Sequence, residues 1–136
     1  MSGIAAWAKR MKPDCQVIGL EPEQGGAMGP SLRAGHLVRT ANADTVADGL
    51  RIEQVCELTL LHAAKLVDDV IGIPDRDIVV GSAQLLRAGK LVVELAGGIG
   101  VGAVLSGRWQ AHGRRTAIVL SGGNIDPARI ADLCAL

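Results

Sequence analysis

Apolar residues recur along this chain in two rhythms. Ile4, Trp7, Ala8 and Met11 fall at i, i+3, i+4 and i+7, which predicts a helix over 3–11 with one apolar face. Ser2 is its expected N-cap and Pro13 its stop. A short apolar run then predicts a strand over 16–20, ending at Glu21-Pro22. Gly25, Gly26, Gly29 and Pro30 mark an irregular loop and a short helix to Ala34. Residues 38–52 read as extended or looped, with Asp48-Gly49 as a turn. A helix over 57–66, a strand over 70–73 closed by Pro74, and a helix capped by Asp75 and running to about Ala88 come next. Residues 90–94 read as a strand or an extended approach. A helix of small residues over 98–109, a strand over 116–120 and a helix over 127–133 complete the pattern.

Strands alternating with helices predict an α/β fold of three layers, a mostly parallel sheet with flanking helices. Three or four short strands leave sheet edges open, and no strand precedes the first helix. Residues 1–136 therefore read as a single partial domain, the C-terminal part of a larger one.

Composition narrows the function. The chain has 136 residues, enough for one domain with a real core. Its 14 basic and 14 acidic side chains cancel, so neither nucleic acid nor an anionic membrane is an expected partner. Phe and Tyr are absent, which removes the usual base-stacking platforms. Cys15, Cys56 and Cys134 are far apart and odd in number, against a disulfide framework or a zinc site. The start lacks a signal-peptide core, and the apolar run 91–106 is too short to span a bilayer. A cytoplasmic location is expected. A mean hydropathy of +0.30 points to apolar surface that faces a missing partner or domain.

The candidate chemistry gathers at the end of the last expected strand. Ser121 follows 116–120, Gly122 and Gly123 make a turn, and Asp126-Pro127 opens a helix as N-cap and N1. Open α/β sheets bind ligands where a strand opens into a crevice, so Ser121 is a candidate binding hydroxyl. The alternative is a hydroxyl that only bonds nearby backbone. Glu94 ends an apolar run, where an unpaired carboxylate is costly to bury. It faces either a ligand or the amides of a helix start. Gly98, Gly100 and Ala103 fit G-x-G-x-x-A, the mark of a dinucleotide-binding module. That module wants an acidic residue at the end of the next strand, where this chain has Ser121. His36, His62 and His112 have no metal partner at helical spacing.

Seven segments in order carry a resemblance: MSGIA at 1–5, VIGLEPE at 17–23, TVADGL at 45–50, CELT at 56–59, LVDDV at 66–70, KLVVELAG at 90–97 and VLSGGNID at 119–126. Together they resemble the pyridoxal-phosphate enzymes of the threonine/serine dehydratase and serine racemase group, with the tryptophan synthase β-like fold type II. The resemblance implies pyridoxal 5'-phosphate as cofactor and Ser121 as the neutral partner of its pyridine nitrogen. That pairing leaves the nitrogen largely unprotonated, a soft electron sink suited to β-elimination. It places Gly122, Glu94 and Gly49 near the cofactor ring, with Leu95 where relatives usually have proline. It makes Glu21 the first ligand of a divalent-cation site (Mg²⁺ or Ca²⁺). The second carboxylate is expected near Ala27, which cannot ligate, and the alternative for Glu21 is a strand-end carboxylate.

In this family the Schiff-base lysine and the glycine-rich phosphate loop lie upstream of the MSGIA-like segment. Lys9, Lys12, Lys65 and Lys90 do not match the lysine motif. No catalytic residue is thus expected within 1–136, and the chain alone is expected to be inactive. The implied function is part of a threonine/serine dehydratase (ammonia-lyase) that turns a small β-hydroxy amino acid into a 2-oxo acid and ammonia. Its expected partners are the missing N-terminal region and further copies in a homo-oligomer. The alternatives are a serine/threonine racemase and a non-catalytic truncated chain.

Overall fold

The computed structural model describes residues 1–41 and 44–136. Positions 42 and 43 of the expected 38–52 loop lie outside the described residues. The chain forms two compact units: Met1–Asp44 with Arg51–Gly72, and Thr45–Leu50 with Ile73–Leu136.

In the first unit, α1 spans Ser2–Met11. Ser2 lies inside the helix instead of capping it, and its hydroxyl donates to the Thr59 carbonyl at 3.2 Å. The buried residue of α1 is Ala5, while Ile4, Trp7 and Met11 are exposed. Spacing located the helix but misjudged its buried face, because a small side chain lets α3 (Glu57–Leu66) approach closely. Two strands pair in a parallel sheet, β1 (Ile18–Pro22) and β2 (Asp69–Ile73). Asp68 locks their entry. Its carboxylate accepts the Val17 N–H at 2.7 Å and meets the Lys9 ammonium at 2.8 Å. These partners, Lys9 first and Val17 next, hold the Asp68 carboxyl below its ordinary range. The short α2 (Met28–Ala34) ends at Gly35, whose φ of 72° suits a residue without Cβ.

The second unit is built on α4 (Asp75–Gln84), which widens into a single π turn, Leu85–Gly89. Asp75 is the first residue of α4 and not its cap. Its carboxylate accepts the Thr45 hydroxyl at 2.6 Å and the Val46 N–H at 2.9 Å, tying the segment 45–50 to the helix. α5 spans Leu95–Leu105, beginning three residues earlier and ending four earlier than expected. It lies so close to α4 that a Cβ on Gly81 would stand 2.5 Å from the Gly98 carbonyl oxygen. One on Gly98 would stand 2.8 Å from the Ser82 nitrogen. The small-residue pattern therefore serves helix-on-helix contact. α6 spans Pro127–Ala135, with Asp126 as N-cap accepting the Ala128 N–H at 2.8 Å.

The expected strand over 116–120 is not formed. Ile118, Val119 and Leu120 are exposed, and no described segment pairs with them. A strand needs a neighbour to take its backbone hydrogen bonds, whatever its side chains prefer. Residues 90–94 likewise form no ladder among the described residues, and Lys90 is left-handed with φ 56°. Among the described residues, no helix is long and apolar enough to cross a membrane.

Candidate functional site

Three of the residues singled out in the sequence converge in the second unit. Glu94 is the N-cap of α5, half-buried, and its carboxylate does not bond the helix amides. Glu94 thus stands at a helix start without making a side-chain capping bond. Its oxygen instead lies 3.1 Å from where a Cβ on Gly49 would sit. On the other side a Cβ on Gly122 would fall onto the same carboxylate, 2.5 Å from its carbon. Gly122 also has φ 82°, a conformation that side chains disfavour. Two glycines thus leave the room that Glu94 occupies.

Ser121 stands next to this pair. It is exposed, and its hydroxyl makes no hydrogen bond among the described residues. The reading of a hydroxyl spent on nearby backbone finds no support in this geometry. The Ser121 carbonyl oxygen rests against Gly97 in the first turn of α5. Glu94 donates its N–H to the Gly122 carbonyl at 3.1 Å, which ties the glycine turn to the start of α5.

A cavity of about 270 Å³ opens beside Glu94, lined in part by Asp48, Gly49, Asn124, Asp126 and Arg129. Sequence reading missed Arg129 as a lining cation. Its place one turn along α6 from the Asp126 cap is the signal that would have found it. Nothing in the sequence ties Gly97 to Ser121.

Glu21 lies in the first unit. Both of its carboxylate oxygens are engaged, accepting the Met28 N–H at 2.9 Å and the Gly29 N–H at 3.0 Å at the start of α2. Among the described residues, no cluster of three His, Cys, Asp or Glu side chains has metal-binding geometry. Gly98, Gly100 and Ala103 all lie inside α5 and form no turn before a helix start, which removes the footing of the dinucleotide reading.

Comparison with known proteins agrees with the geometry. Residues 1–122 match the family described as pyridoxal-phosphate dependent enzyme. The L-threonine ammonia-lyase of Thermotoga maritima is 37% identical over 126 residues, 93% of this chain and 31% of that protein. The L-threo-3-hydroxyaspartate ammonia-lyase of Saccharomyces cerevisiae is 33% identical over 98% of this chain and 41% of that protein. The solved structure of maize serine racemase superposes with a TM-score of 0.85 at 32% identity, covering 96% of this chain and 42% of that one. The chain thus spans less than half the length of the relatives it matches.

Proposed function

The chain belongs to the family of pyridoxal-phosphate dependent enzymes, and on that premise we propose that it forms part of an ammonia-lyase. The substrate is a small β-hydroxy amino acid, serine or threonine, and the products are a 2-oxo acid and ammonia. The observation that carries the reading is the unengaged Ser121 hydroxyl beside two glycines and the Glu94 carboxylate. These residues fit the edge of a planar heteroaromatic ring. The hydroxyl is a neutral donor and acceptor, and the Glu94 carboxylate, given room by the two glycines, adds a polar border close by.

Pyridoxal phosphate, when bound, supplies an electron sink for the carbanion next to the amino group. Ser121 holds the pyridine nitrogen as a neutral partner. Glu94 would border the ring, its carboxylate in the space that Gly122 and Gly49 leave for it. The lysine that carries the cofactor and the loop that grips its phosphate belong, in this reading, to polypeptide outside 1–136. The likeness to a serine racemase keeps one further reading open, racemisation of the same class of amino acid. Formation of 2-oxo acid against inversion of the α-carbon separates the two.

In the full-length enzyme, Ser121→Ala is expected to lower turnover by about tenfold or more, the low end of what a single positioned polar group contributes. The melting temperature should hardly move, because the side chain is exposed. Unchanged turnover would refute the assignment. The 136-residue chain alone is expected to show no turnover of serine or threonine.

A further inference from the structure

The geometry points to Gly97 as a positioning residue that sets the direction in which the Ser121 hydroxyl leaves the chain. Its catalytic meaning rests on the cofactor reading above, but the seat itself does not. Gly97 is the third residue of α5 and is buried. A Cβ built there would stand 2.5 Å from the Ser121 carbonyl oxygen, 3.5 Å from its carbonyl carbon and 3.3 Å from the Cβ of Val93. The crowding atoms of Ser121 are backbone and cannot swing aside as a flexible side chain does. Only glycine lets that carbonyl rest on the turn.

Little else holds the segment. Among the described residues, the Glu94 N–H to the Gly122 carbonyl is the one backbone–backbone hydrogen bond made by 116–122. A run with a single such bond is free to rotate about its own axis unless packing stops it. The carbonyl and the side chain of Ser121 branch from the same α-carbon. Seating the carbonyl on Gly97 therefore fixes the direction of the Cα–Cβ bond, from which the hydroxyl takes one of its staggered positions. The glycine-poor alternative, a first turn with Ala at 97, pushes the carbonyl off and turns the hydroxyl with it.

Amide hydrogen exchange in the cofactor-loaded full-length protein tests the seat. Gly97→Ala should speed exchange of the Glu94 amide about tenfold or more. The Ser106 amide, bonded to the Gly102 carbonyl at the far end of α5, should be unaffected. The same variant should move the absorbance maximum of the bound cofactor in the direction that Ser121→Ala moves it. Unchanged exchange at Glu94 overturns the proposal. If Gly97→Ala does not fold, the wild-type protein decides. A Glu94 amide about tenfold slower than that of Val92, which makes no backbone hydrogen bond among the described residues, supports the seat. Equal rates overturn it. If Ser121→Ala leaves the cofactor spectrum untouched while Gly97→Ala still speeds Glu94, the seat stands and the cofactor reading falls.

Discussion

The five residues of β2, Asp69–Ile73, and the five residues 116–120 carry similar strand signatures and meet opposite fates. Each run holds three β-branched residues, yet among the described residues TAIVL stays unpaired, while DVIGI joins β1. Strand propensity is mainly a preference for a pleated, half-buried surface, and that surface must be supplied by neighbours. β2 has a neighbour in β1 and a lock at its entry in Asp68. Residues 116–122 have one backbone hydrogen bond and a glycine seat. Ser121, at the end of the unpaired run, is exposed.

The largest expected contrast comes from truncating one isoleucine in each run. Ile73 is fully buried and Ile118 is 39% exposed. Ile73→Ala should cost about 2–5 kcal/mol in denaturant unfolding, from lost burial plus the cavity left behind. Ile118→Ala should cost less than about 0.5 kcal/mol. Equal costs would mean that 116–120 is packed as β2 is.

A smaller effect tests the far anchor of the unpaired run. Asp126→Ala removes the acceptor of the Ala128 N–H and should cost about 1 kcal/mol. Circular dichroism should show fraying of α6 alone, with the β1–β2 ladder intact.

The smallest effect tests the lock on β2. Asp68→Asn should cost less than about 1 kcal/mol, since the Lys9 pair is partly exposed. The Asp68 carboxyl is held below its ordinary 3.8. A folded-state value below the unfolded one stabilises fully above the unfolded value and is lost as pH falls through the folded one. Melting curves of wild type and Asp68→Asn should therefore differ near neutrality and converge as pH falls below 3.8. A gap that persists at low pH would assign the lock to something other than this charge.

Local signals made most elements legible. The helix expected over 57–66 forms as Glu57–Leu66. Asp126-Pro127 gave the start of α6, because a cap and N1 proline act within one turn. The convergence of Glu94, Gly49 and Gly122 was legible only through the family resemblance. Spacing alone says nothing about residues 45 positions apart. The buried face of α1 differs from the expected one for a related reason. Which neighbour a helix meets is set by packing, and Ala5 and Gly98 are chosen for closeness, not hydrophobicity.

The sequence by itself determined which segments become helices, the α/β alternation and the motif that marks the family, because these follow from short-range sterics, capping and residue order. Only the tertiary structure decided which apolar run becomes a strand, where Glu94 finds space, and how the Ser121 backbone is seated. Each of those depends on a contact between distant residues whose fit is a matter of a few tenths of an ångström, and no local pattern encodes such a distance.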